Sequence, residues 1–251
     1  MTELLNLNLY TFLMVFLRIG SALMLLPGFT ASYVGTQIRL SIALALTIIL
    51  IPVVSKFLPQ APNGFDTLLQ YILQEITIGV FLAIIIQTIF SSLSLAGNIA
   101  GQAIGFSNAQ NFNPATQNQS IIIESFLGVT ALTVIFMANL HHLMLNAVID
   151  TYHLFPVGQT LPWGDFANQM SQTVNGAFIA GFKLGAPFIA FNIVFYTGMG
   201  LVSRLMPQLN IFFLSLPLQI YLGAGLLFIT MPIMILWFMR YFDDSMQLYL
   251  H

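Results

Sequence analysis

Between Glu75 and Glu124 the chain has no ionisable side chain, a length no water-exposed surface element tolerates. Inside that apolar run lies a polar but uncharged patch, Gly97 to Gln119, holding nine Asn or Gln residues. It opens with Gly97, Gly101 and Gly105 at four-residue spacing, one bare stripe on a helix against which another backbone can approach. It continues as GFSNAQNFNPATQNQ, residues 105 to 119, where Pro114 and the clustered amides argue against one unbroken helix. An uncharged polar seam at membrane depth implies a wet lining.

Composition places that seam in a membrane. Of 251 residues, 58% are hydrophobic and 6% charged, with a mean hydropathy of +0.89, too little charge to keep a soluble domain of this size dispersed. The formal net charge of -2 provides neither a basic face for nucleic acid nor a polybasic lipid-binding cluster. Zero cysteines exclude disulfides, thiolate catalysis and Cys-ligated metal. The first cation is Arg18, so the first apolar segment lacks the basic start of a cleaved signal peptide and is expected to remain in the mature protein.

A spanning helix needs about 20 mostly apolar residues. Six runs meet that scale: Leu9 to Leu26, Leu40 to Leu58, Leu68 to Ala96, Ile121 to Val148, Val174 to Val202 and Ile211 to Met239. No segment has the pattern of a strand, so the expected class is all-α and membrane-associated, its apolar helices arranged as hairpins. Connections are short and rich in Pro, Gly or amides. The last two runs, joined by SRLMPQLN, form one hairpin separable from the first four. Arg39 and Arg204 fall on one side while Lys56 and Arg240 fall on the other, so the positive-inside rule does not orient the chain.

Arg18, Glu75 and Lys183 are the candidate buried charges, each inside an apolar run where it needs a partner or water. Pairing with each other, with backbone or with neighbouring subunits is favoured over a proton relay, because deep acidic groups are confined to Glu75 and Glu124. His141 and His142 are adjacent, about 100° apart on a helix, which does not suit a shared metal. No phosphate loop, nucleophile elbow or paired carboxylates appear, so no catalytic, cofactor or metal site is expected and the chain is not expected to be an enzyme. Phe106 and Phe112 sit among amides rather than in an apolar stripe, and bulky rings in a polar loop can plug a channel.

The segment Ser203 to Ile220, SRLMPQLNIFFLSLPLQI, resembles the signature of the FliR family, the R subunit of the flagellar type III protein export gate and its injectisome counterparts. The likeness extends to PGF at 27 to 29, Arg39, Pro52, Glu75 with Gly79, the glycine stripe, Pro114, His141 and His142, and Phe155 with Pro156, in the family's order. Its most specific part is Arg204, Pro207, Gln208 and Asn210. One departure is Leu140, where the family's pattern would have Gly before the His pair.

The resemblance implies a non-enzymatic, cofactor-free subunit of a hetero-oligomeric helical assembly in the bacterial inner membrane at the flagellar basal body. Implied partners are FliP-like and FliQ-like gate subunits, FlhB-like and FlhA-like export components, unfolded exported proteins and membrane lipid, but no nucleic acid. Residues 1–165 are then P-subunit-like, with a plug loop at 106–119, and 166–251 form a Q-subunit-like hairpin. Phe106, Asn108, Gln110, Asn111, Phe112, Asn113 and Pro114 would close the pore, Gly97, Gly101 and Gly105 pack helices, and Arg204, Pro207, Gln208 and Asn210 form a subunit-contact turn. The competing readings are an injectisome gate subunit, a secondary transporter with helices broken at Pro114, Pro187 or Pro217, and an intramembrane hydrolase using the His pair.

Overall fold

The computed structural model describes residues 2–30, 34–62, 64–105, 122–208 and 211–247, with backbone alone for 2–8 and 211–214. Seven α-helices account for most of them: α1 Thr2–Leu25, α2 Thr36–Val54, α3 Phe65–Ile104, α4 Ile122–Met137, α5 His141–Leu154, α6 Trp163–Leu205 and α7 Ile211–Gln247. A single 3-10 turn, Ser55–Phe57, follows α2, and no strand occurs among the described residues. The all-α expectation holds.

The fourth apolar run, expected as one helix, is two. A turn at 138–140 divides it, with Asn139 at φ 59°, the left-handed region that Asn enters more easily than an apolar residue. Leu140 itself is helical, with φ -67° and ψ -15°. The family's glycine position is therefore filled without strain, because its neighbour takes the left-handed conformation.

Four helical stretches are long and apolar enough to cross a membrane, Thr36–Phe57, Phe65–Ile104, Trp163–Leu205 and Ser215–Gln247, and the broken α4–α5 pair makes a fifth if counted as one span. The apolar part of α1, Leu9–Leu25, is shorter. With 40, 43 and 37 residues, α3, α6 and α7 run about 55 to 65 Å at 1.5 Å per residue, close to twice the hydrocarbon thickness of about 30 Å. Pro187, Pro217 and Pro232 lie inside continuous helices. The helix breaks that a transporter would need at Pro187 and Pro217 are absent, and Pro114 lies outside the described residues.

The helices pack into two compact units, 1–89 with 138–174 and 243–251, and 90–137 with 175–242. In the first, α1 packs on α2, and Met14, Ile19, Leu23, Ile78, Ile85 and Tyr152 are fully buried. Phe81 stacks on Phe166 with centroids 4.0 Å apart, and Phe155 meets Phe166 edge-on at 5.1 Å. In the second, Phe90 meets Phe238 and Phe242 edge-on at 5.4 and 5.7 Å. These units are discontinuous in sequence, and α3, α6 and α7 each contribute to both. Residues 175–205 of α6 and 211–242 of α7 share the second unit with 90–104 of α3 and all of α4.

Candidate functional site

In the first unit, α1 and α3 are joined through two side chains with 0% exposure. Arg18 Nη2 lies 2.6 Å from Glu75 Oε1 and its Nε donates to Oε2 at 2.8 Å, a two-pronged guanidinium–carboxylate pair. The remaining capacity of the guanidinium is used locally. Nη1 donates to Thr151 Oγ1 at 3.3 Å, Nη2 to the Phe155 carbonyl at 3.1 Å, and the Tyr152 ring lies 3.9 Å from Cζ. The Thr151 hydroxyl in turn donates to the Val148 carbonyl at 2.6 Å. A buried pair is tolerated only when such secondary bonds are made.

The residue before Glu75 braces the loop after α5. Gln74 Nε2 donates to the Pro156 and Gln159 carbonyls at 3.3 and 3.0 Å, and its Oε1 accepts from the Gly158 amide at 3.0 Å. Gly79, one turn beyond Glu75, presses directly on the Arg18 carbonyl and the Ser21 side chain, leaving no space for a Cβ. Hence α1, α3, α5 and the Phe155–Gln159 loop are locked at one level of the first unit.

The second unit places the glycine stripe. A Cβ on Gly97 would lie 2.6 Å from Glu124 Cα, so α3 and α4 touch backbone to backbone, and the adjacent Asn98 Nδ2 donates to Glu124 Oε2 at 2.8 Å. Gly101 is buried. Gly105 works differently: at φ 88° it lies just past the end of α3 and terminates it, as left-handed glycines do. Gln219 of α7 donates from Nε2 to the Ala103 carbonyl at 2.8 Å, satisfying an acceptor that the helix end leaves open. The last described residue before 106–121 is therefore a capped helix end, and the first turn of α4 after them carries the Asn98–Glu124 bond. Phe106, Asn108, Gln110, Asn111, Phe112, Asn113 and Pro114 lie outside the described residues, as does Asn210.

Arg204, Pro207 and Gln208 are exposed at the end of α6, where the Met206 amide still bonds the Val202 carbonyl at 2.9 Å. Lys183, a candidate buried charge, is exposed on this chain. The His141 and His142 rings, expected to diverge, lie with centroids 4.3 Å apart; both stand in the first turn of α5, where no preceding helical turn confines their rotamers. Among the described residues no group of three His, Asp or Glu side chains could hold a metal ion.

Several contacts escape sequence reasoning. Gln219 is a lone amide in an apolar run, and Gln74 stands beside a more conspicuous Glu. Gly181 and Gly185 went unread as well, though their four-residue spacing on α6 was a signal that could have found them; they face Ser92, Leu95 and Ile99 of α3 with no room for a Cβ unless a neighbour shifts. An open groove of about 490 Å³ in this unit is lined by Gln102, Asn192, Tyr196 and Thr197 among apolar residues.

Residues 9–245 match a family described as bacterial export proteins, family 1. The chain belongs to this family. Among its relatives is the flagellar biosynthetic protein FliR of Caulobacter vibrioides, 34% identical over 235 residues, covering 93% of this chain and 94% of the relative. The FliR of Bacillus subtilis is 29% identical over 225 residues, covering 88% and 86%. Yop proteins translocation protein T of Yersinia pestis is 27% identical over 234 residues, covering 90% and 88%. Membership spans both compact units, so the ion pair, the glycine contacts and the α6–α7 turn all lie within the family's common region.

Proposed function

We propose that the chain is a structural and gating subunit of the bacterial flagellar type III protein export channel, acting in the inner membrane at the flagellar basal body without catalysing a reaction. The end-to-end likeness to flagellar FliR proteins carries this reading, and the 34% identity to the Caulobacter FliR, against 27% to the Yersinia relative, favours the flagellar apparatus over the translocation machinery of the latter. Its partners are then FliP-like and FliQ-like subunits of the gate, with FlhB-like and FlhA-like components nearby and unfolded flagellar proteins as cargo. A body with apolar faces exposed along α6 and α7 suits a subunit covered by other helices and lipid.

Gating is assigned to residues 106–119. The described residues on either side support this reading: Gln219 bonds the Ala103 carbonyl at the end of α3, and Asn98 bonds Glu124 in the first turn of α4. Amides present donors and acceptors to a passing backbone without holding either charge sign, while Phe106 and Phe112 exclude ions by filling space. Shortening Ser107 to Thr116 in the assembled complex is expected to raise ion conductance while leaving assembly intact. Unchanged permeability in a verified complex would sink the gating role. Recovery of the chain as a functional homo-oligomer without unlike subunits would favour the solute-transporter reading instead.

A further inference from the structure

Lys183 lacks what this chain gives its other deeply placed cation. Arg18 is enclosed with a carboxylate, a hydroxyl, a carbonyl and an aromatic ring, whereas Lys183 is exposed and, among the described residues, makes no hydrogen bond or ion pair. It lies 20 residues after Trp163 and 22 before Leu205, about 30 Å from either end of α6 at 1.5 Å per residue. It stands at the rim of a groove of about 220 Å³ between α6 and α7, formed by Leu184, Pro187, Thr230, Ile233, Met234 and Trp237. The surface beside it is apolar, with Phe178, Phe182 and Ile229 exposed. An ammonium so placed cannot face hydrocarbon cheaply and lies too far along the helix to reach its ends.

The charge balance of this unit defines what can cover it. Besides Lys183, its charged residues are Arg204, Arg240 and Glu124, and Glu124 is already bonded to Asn98; Asp243 and Asp244 follow Arg240 on α7 at the far end of that helix, in the first unit. A second copy presenting the same face would set lysine against lysine. We propose that the α6–α7 face around Lys183 docks an apolar membrane helix of an unlike subunit bearing one aspartate or glutamate. The carboxylate meets Lys183 at the groove rim while an apolar neighbour on the incoming helix fills the groove between Pro187 and Trp237. This presupposes a chain that works in a hetero-oligomer, as proposed above.

The test uses full-length chain expressed with the rest of its export apparatus. Lys183→Glu is expected to lower recovery of unlike membrane subunits at least tenfold, with Lys183→Arg close to wild type. Treating wild-type membranes with a hydrophobic carbodiimide, which joins an amine to a carboxylate in contact, is expected to link Lys183 to Asp or Glu in an apolar helix of another chain. Because Lys183 is exposed, Lys183→Met should retain helical content; if Lys183→Glu misfolds, the wild-type cross-link decides. The docking face is overturned if wild type recovers unlike subunits and Lys183→Glu recovers them equally. It is also overturned if the cross-link joins two copies of this chain, or if the variant loses only bound anionic lipid. Wild type recovering no unlike subunit at all would overturn the export-channel reading itself.

Discussion

At Arg18 two charges with 0% exposure face each other across 57 residues of sequence, and the geometry leaves little of either charge unsatisfied. The free energy of such a pair is asymmetric: removing one partner strands the other, while removing both substitutes ordinary packing. Glu75→Gln is therefore expected to destabilise the chain by about 3 to 5 kcal/mol, and the double variant Arg18→Met/Glu75→Met by markedly less. Denaturation of the purified protein in detergent measures both, and equal losses from the single and double changes would contradict an isolated two-body coupling. Tyr152, Thr151 and the Phe155 carbonyl converge on the same guanidinium, so the Phe155–Gln159 loop should lose protection from hydrogen exchange when Arg18 is replaced.

Among the helices, α3 carries the most constraint, holding Gln74, Glu75 and Gly79 in the first unit and Gly97 to Ile104 in the second. Its end is set by Gly105, where a Cβ would meet the Gln219 side chain at 3.2 Å and the backbone lies at φ 88°. Gly105→Ala is expected to cost about 1 to 2 kcal/mol through left-handed strain and to speed amide exchange in the last turn of α3. Gly128→Ala in α4 meets nothing within 4 Å and should be neutral or stabilising by up to about 1 kcal/mol. Thermal unfolding compares them, and equal effects would show that the end of α3 is not specified at Gly105. The helices themselves were legible because long apolar runs have few alternatives. The break at Asn139 was not, since one amide in an apolar run gives no periodic signal. Arg18, Glu75 and the glycines drew notice by residue type, yet their partners at Thr151, Phe155 and Gln219 follow from tertiary packing alone.

Across the whole molecule, hydropathy has a blind side: a helix face covered by another subunit and one covered by lipid have the same composition. That is why a reading of the chain could list apolar runs but not see that α3, α6 and α7 each belong to two compact units, or that Lys183 is exposed on this chain. The exposed turn at the end of α6 bears on the same question. Arg204, Pro207 and Gln208 form the most specific part of the family likeness, yet within this chain they are exposed, with Leu205 and Met206 exposed between them. Exposed residues contribute little to the stability of the chain that carries them. Replacing Arg204 and Gln208 together by Ala is therefore expected to leave thermal stability of the isolated chain within about 0.5 kcal/mol, while recovery of FliP-like and FliQ-like subunits falls several-fold. The two measurements separate a docking turn from a structural one. A chain that loses its own stability as well as its partners needs the turn to fold, and one that keeps both makes its assembly contacts elsewhere.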